Sequence, residues 1–431
     1  MTSESRLLNR LRATGPLTVA AFMDLALYDP ECGYYVRTAQ RSGREGDFFT
    51  SVDVGPLFGE LLEIQLAEMA ALLGHPEHER GARVGVQSRR FFDLVEAGAG
   101  NGRLAADILV AARERDVAFY ESIRLHLIEA SPRARAAHRA TLGEMAERLQ
   151  SSSPSLPDSF EGVLIANELL DALPVHQVVM RHDGLHELYV AGRESSPLRL
   201  IEAPLSTPRL QEYLDRLEIA LEPGWRAEIN LRAVDWVAEA ARRMRRGFMI
   251  LTDYGHAARE LYSASHASGT LTTFSGHRSA GSEWTSEQRT RPIWLESPGN
   301  QDMTAHVDFT SIQAAAEAEG MITLGFLDQT YFLMGLLFGA NQSPNPESAI
   351  RNPGAPGAAA ALGWNPGAPG AAGPGPPTRH PRWGGAALGW NSQLKTLLLP
   401  GGLGSTMKVL IMGKNVGTPQ LGGCSFRVRV T

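Results

Sequence analysis

Apolar residues recur at helical spacing near the start of the chain, where Leu7, Leu8 and Leu11 are followed by Phe22, Leu25 and Ala26. A period near 3.6 predicts helices within residues 1–75, including one over 56–73, broken by a loop at 29–51 rich in turn-forming residues. The pattern then changes. Phe91-Phe92-Asp93-Leu94-Val95-Glu96 is a short apolar run ending in an acid, 97–102 is dominated by glycine, and 103–113 returns to helical spacing. Strand, glycine loop and helix follow one another there. Residues 123–128 repeat the theme, stopping at Glu129 before helical spacing resumes over 132–149. Two successive strand–helix units predict an α/β fold with a parallel sheet.

Further buried strands are predicted at 162–166 and 247–251, the second after an amphipathic stretch at 234–246. Residues 175–233 read as inserted strands and helices. Toward the end, 308–319 has helical spacing, and 321–327 and 407–412 read as strands. Between those strands, 352–391 is largely Gly, Pro and Ala and repeats itself: NPGAPGAA begins at 352 and 365, AALGWN at 360 and 386. Too few large apolar side chains occur there to offset the entropy of ordering the chain, so disorder is expected. The expected organisation is an N-terminal helical lid region (1–80), a core with its insertion (81–340), the Gly/Pro/Ala-rich insert (341–400), a final core strand (401–414) and a tail (415–431).

Residues 96–102 read E-x-G-x-G-x-G, with Gly98, Gly100 and Gly102 placed where a backbone must turn tightly and approach a ligand closely. Glu96 precedes the loop, and Glu129 ends the second strand. In S-adenosyl-L-methionine-dependent methyltransferases of this fold the methionyl and ribose parts of the cofactor lie on such a loop. A carboxylate in the position of Glu129 accepts the ribose hydroxyls. The competing reading is a nicotinamide dinucleotide site, which calls for G-x-G-x-x-G; counted from Gly98, Arg103 stands where its third glycine belongs. An ordinary glycine-rich βα turn is the plainest alternative.

Longer strings carry a more specific signal: LTVAAFMDLALYDPECGYY at 17–35, GDFFTSVDVGPLFGELL at 46–62, LVEAGAGNG at 94–102, IANELLDALPVH at 165–176, DYGH at 253–256, QDMTAHVDF at 301–309 and MKVLIMGK at 407–414. On these the chain resembles the MidA-like family of methyltransferases. The resemblance implies a Rossmann-like seven-stranded class I methyltransferase core with an N-terminal helical region and an inserted subdomain, and S-adenosyl-L-methionine as cofactor. The helix–strand–strand ending suits such a sheet. For mitochondrial relatives it implies arginine dimethylation on a respiratory complex I subunit, so a protein substrate is expected here. Methylation of a small molecule, or a cofactor-binding assembly chaperone without catalysis, are the alternatives. The 352–391 stretch interrupts the resemblance, and 415–431 has no recognised counterpart.

An arginine acceptor needs carboxylates beside the cofactor to grip a planar guanidinium. Glu168 and Asp171 are the candidates, with Asn167 adding an amide contact, because they follow a core strand at its carboxyl end. Helix N-terminal acids are the blander reading. Gly46, Asp47 and Thr50, with Ser51, are expected to fold over the polar end of the cofactor, although Asp47 also suits a plain turn. His176, Tyr254, His256 and His306 fall in the resembling strings and carry less weight.

Composition narrows the field further. No apolar run of about 20 residues exists to span a bilayer. The net charge of −6 comes with dispersed arginines, which gives no footprint for nucleic acid. Cys32 and Cys424 lack any CxxC or Cys/His spacing, so neither a disulfide framework nor a metal site is expected. Arg6, Arg10 and Arg12 faintly suggest a transit peptide, but Glu4 interrupts it, and a bacterial cytoplasmic enzyme is the preferred expectation over a mitochondrial matrix one.

Overall fold

Seven strands make the central sheet, the inner ones mostly runs of apolar residues buried on both faces and the two edge strands only partly buried. They are β1 (Phe92–Ala97), β2 (Ile123–Ile128), β3 (Leu149–Ser153), β4 (Phe160–Asn167), β5 (Met244–His256), β6 (Ile322–Asp328) and β7 (Met407–Lys414). The computed structural model describes residues 3–37, 50–74, 91–192, 197–275, 278–280, 292–339, 387–398 and 406–426. The strand order is β6-β7-β5-β4-β1-β2-β3, with Val307–Asp308 added in parallel at the end of β5. Strands β1 to β5 pair in parallel, whereas β7 runs antiparallel to both β5 and β6.

Alternation along each strand sorts its side chains onto two faces. Leu94, Val163, Phe248 and Val409 pack with the Leu57–Gly74 and Arg103–Arg115 helices. Val95, Leu164, Met249 and Leu410 pack on the opposite face against Ala233, Val237, Ile312 and Ala316 of the Leu231–Arg243 and Phe309–Ala318 helices. After β1 the chain builds outward through β2 and β3, then returns to start β4 on the other side of β1. Ligands of open α/β sheets bind outside the carboxyl ends of strands at such a reversal.

The insertion forms its own antiparallel sheet from His176–Arg181, Gly184–Ala191, Arg199–Ala203 and Arg226–Ile229, and this sheet recruits Leu17–Thr18 from the N-terminal region. The Val19–Tyr28 helix therefore packs with Val179, Leu188, Val190 and Met303, away from the central sheet. By contrast the Leu57–Gly74 helix belongs to the central core. The N-terminal region thus divides between two cores.

The 341–400 segment, expected to be structureless, carries a helix at Ala387–Leu398. Leu397 is buried, and Leu394 and Leu398 lean on the central core, giving this stretch the apolar face that the Gly/Pro/Ala repeats lack. The rest of the segment lies outside the described residues. Beyond β7, Leu421 is buried, and the amides of Gly422 and Gly423 donate to Glu68 and Gln65 of the Leu57–Gly74 helix at 2.9 and 3.0 Å. Among the described residues no helix is long and apolar enough to cross a membrane.

Candidate active site

A cavity of about 720 Å³ opens at the carboxyl ends of β1, β2 and β4. Its floor is the loop after β1, where Gly98 and Gly100 hold φ of +71° and +53°. A Cβ on Gly100 would meet nothing within 4 Å, whereas one on Gly98 would lie 3.1 Å from Leu169 Cδ1. The amides of Gly98 and Ala99 donate to Ile128 O at 2.9 and 3.1 Å, tying the loop to the end of β2.

Glu129 follows directly. Its carboxylate accepts the Gly100 amide at 2.9 Å and the Ser131 amide at 2.7 Å, so it braces the loop while lining the cavity. Glu96 lines the same wall, with Oε2 buried and without a hydrogen-bond partner. Burial pushes its carboxyl up to about 8, with nearby Glu129 adding to the rise and an amide hydrogen bond from Ala105 opposing it.

Gly102 does not line the cavity. It is the N-terminal cap of the Arg103–Arg115 helix and packs under Leu127 and His138. Arg103 crosses to the Ser51–Val54 turn, donating to Asp53 Oδ1 and Val52 O at 2.8 Å each. This fastens the turn carrying Thr50 and Val52, both of which line the cavity. The Thr50 hydroxyl is itself committed to Asp53 at 2.8 Å. Gly46 and Asp47 lie outside the described residues.

The turn after β4 supplies the opposite wall. Asp253 of β5 accepts the amides of Leu169, Leu170 and Asp171 on one carboxylate oxygen, at 3.1, 2.7 and 3.3 Å. Asn230 donates to Leu170 O and Leu173 O, closing the turn from its other side. Held this way, Glu168 adopts φ +51°, a left-handed conformation rare for a residue bearing a side chain. Its carboxylate accepts from the Ser51 amide at 3.0 Å and from Asn167 Nδ2 at 3.1 Å. Backbone strain of this sort persists where surrounding bonds over-determine it, and such places cluster at functional sites.

Asn167, Glu168 and Asp171 all line the cavity together with Asp302, which sequence reasoning did not single out. Burial pushes Glu168 up to about 8, the Ser51 amide works against the rise, and the Asp171 charge adds to it. Asp171 is held well above the usual carboxylate range by burial, then by the charges of Asp253 and Asp302. Two tyrosines complete this wall: Tyr35 donates to Asp302 at 2.6 Å, and Tyr28 to Ala172 O at 3.0 Å. The lining arginines are already engaged, Arg103 with Asp53 and Arg232 with Asp24. Carboxyl groups therefore outnumber arginines among the ionisable side chains that line the cavity.

Of the lower-weight candidates, Tyr254 and His306 line the cavity. His176 instead pairs with buried Glu187 at 2.7 Å, a contact within the inserted sheet. His256 packs against His306 and His266. Tyr28, Tyr35 and Asp302 sit in strings already noted for their resemblance, but an isolated tyrosine or aspartate has no spacing to mark it.

The lining fits a cofactor with a polar amino-acid end and a ribose. Glycines leave the floor open, the orphaned Glu96 oxygen lacks a hydrogen-bond partner, which a ligand could supply, and Glu129 is fixed in place by two amides. A cavity toward the upper end of the roughly 300–1,000 Å³ usual for small-molecule sites leaves space for an acceptor beside it.

Comparison with known proteins agrees. A structure from Burkholderia thailandensis, bound to S-adenosyl-homocysteine, matches with a TM-score of 0.74 at 24% identity, covering 98% of this chain and 95% of that one, and shows the same fold. The mitochondrial protein arginine methyltransferase NDUFAF7 of Mus musculus is 28% identical over 363 residues, 77% of this chain and 73% of its own length. Its Drosophila melanogaster homolog is 29% identical over 365 residues, 75% of this chain and 72% of its own. The profile of an S-adenosyl-L-methionine-dependent methyltransferase family matches residues 61–327, well over half the chain, spanning the glycine loop, Glu129 and the Glu168 turn. The chain belongs to this methyltransferase family, and S-adenosyl-L-methionine is its cofactor.

Proposed function

We propose that the chain methylates the guanidinium of an arginine in a protein substrate. The observation that carries this reading is the convergence of Glu168, Asp171 and Asp302 on the wall facing the glycine loop, in a cavity whose own arginines are already paired. The relatives named as protein arginine methyltransferases support it.

S-adenosyl-L-methionine supplies a methyl group on a positively charged sulfur. Gly98, Gly100, Glu96 and Glu129 would hold it, and Thr50 and Val52 lie over the same space. The chain's remaining task is to present the nucleophile. Buried carboxyls that repel one another stay protonated until a cation arrives, so an entering guanidinium would draw Glu168 and Asp171 into their ionised forms. A carboxylate then grips the planar N–H edge with paired, charge-assisted hydrogen bonds. As a guanidinium nitrogen gains its methyl group it must lose a proton, and Glu168, whose ordinary affinity for protons is already raised, is the group we assign to receive it. The caged turn after β4 keeps that carboxylate in one place, which is where most of the rate advantage of an in-line displacement originates.

The test is to incubate purified protein with methyl-labelled cofactor and arginine-bearing proteins or peptides, then hydrolyse and identify the labelled residue by mass spectrometry. Methylated arginine, absent when arginine is replaced by lysine in the acceptor, supports the reading. Label confined to other residues or to small molecules refutes it.

A further inference from the structure

We propose that His256, His266 and His306 form a binding site for a divalent transition-metal ion of the zinc type. The three come from separate segments: His256 ends β5, His266 lies in the Ala264–His266 turn, and His306 sits between the Asp302–Thr304 and Val307–Asp308 strands. Their ring centroids are 4.9, 5.2 and 5.9 Å apart, and one nitrogen from each lies within 4.8 Å of the others. Zinc–imidazole bonds of about 2.0–2.1 Å place tetrahedral ligand nitrogens roughly 3.4 Å apart. To reach that spacing the three nitrogens, now within 4.8 Å of one another, would have to draw closer.

The hydrogen bonding around the cluster suits ligands. His266 Nδ1 lies 3.1 Å from Glu260 O, which holds the proton on that nitrogen and leaves the Nε2 lone pair free. A ring nitrogen bonded to a backbone carbonyl is the usual outer support of a metal-binding histidine. His256 Nδ1 lies 3.0 Å from Glu260 Oε1 but is buried without a hydrogen bond. His306 Nδ1 is buried and has no hydrogen-bond partner. Three closely packed imidazoles from separate segments are a donor set that suits zinc.

Thr304, Ala305 and His306 line the cavity, and Tyr254, two residues before His256, lines it too. A bound ion would pin the end of β5 to the segment that forms the acceptor wall. The site does not depend on which acceptor is methylated.

The full-length protein, freed of metal by a chelator, is titrated with zinc chloride by calorimetry and with cobalt(II) by visible absorption. One equivalent should bind with micromolar or lower dissociation constant, cobalt should show the absorption of a tetrahedral complex, and zinc should displace it. Loss of a ligand should weaken binding at least tenfold, as metal sites lose about 10–100-fold even from outer-shell changes. His266→Ala, in a turn outside the hydrophobic cores, is the cleanest variant, and circular dichroism confirms that it folds. His306→Ala is the second. Absence of stoichiometric binding to the wild type, or undiminished binding by His266→Ala, overturns the proposal.

Discussion

Replacing Glu168 by glutamine keeps the side chain's shape but removes a charge that the fold disfavours. Burial carries this carboxyl from its ordinary 4.5 to about 8. At about 1.4 kcal/mol for each tenfold change in proton affinity, that difference corresponds to a ceiling of roughly 5 kcal/mol. The sign follows from which state holds the proton. Below about pH 4.5 the group is protonated both folded and unfolded, and its contribution to stability is fully present. Between about 4.5 and 8 the unfolded chain ionises while the folded protein keeps its proton, so stability is progressively lost as pH rises through that window. Glutamine does not titrate. Water in the cavity screens part of the effect, and we expect the variant to gain about 2 kcal/mol on the wild type between pH 5 and pH 9.

Scanning calorimetry of the ligand-free proteins at several pH values would show a melting-temperature difference that widens by a few degrees over this range. A difference constant with pH would mean that Glu168 is ionised throughout, and the argument for a carboxyl awaiting a cation would fail. The same variant should retain affinity for S-adenosyl-homocysteine within about threefold while losing methyl transfer by about 10²-fold or more, the usual worth of a positioned proton acceptor.

Other substitutions probe the cofactor wall. Glu129→Ala removes the acceptor of the Gly100 and Ser131 amides and should weaken S-adenosyl-homocysteine binding at least tenfold by titration calorimetry; unchanged affinity would remove Glu129 from the site. Gly98→Ala places a methyl at φ +71°, 3.1 Å from Leu169 Cδ1, and should cost about 1–2 kcal/mol in denaturant unfolding, together with cofactor affinity. Wild-type stability there would contradict the need for glycine. Arg103→Met severs the Asp53 pair and the Val52 carbonyl bond, so amide hydrogen exchange over Ser51–Val54 should accelerate, and equal protection in both proteins would show that the turn is held by other contacts.

Much of this protein is legible in one dimension because the relevant physics is local. A parallel strand buried on both faces is mostly a run of apolar residues, as in 163–166 and 248–251, and a loop that approaches a ligand needs glycine, as at Gly98 and Gly100. The acids that end such strands, Glu96 and Glu129, are marked by their position after the run. Glu168 and Asp171 were nameable for the same reason, as acids following β4 at the sheet's carboxyl edge.

What surrounds these groups was decided only in three dimensions. Asp253 cages the Glu168 turn from the next strand, while Asp302, Tyr28 and Tyr35 reach the cavity from segments remote in the chain. Leu17–Thr18 joins a sheet made by residues far downstream, and Ala387–Leu398 becomes a helix because the central core offers its leucines a surface. His256, His266 and His306, spaced too irregularly to form a motif, meet in a common cluster. Periodicity records which face of an element is buried, but the affinity of a carboxyl for its proton, or of an imidazole for a metal, depends on which other groups share its burial. That company is assembled by packing, through contacts between residues whose separation along the chain carries no signal.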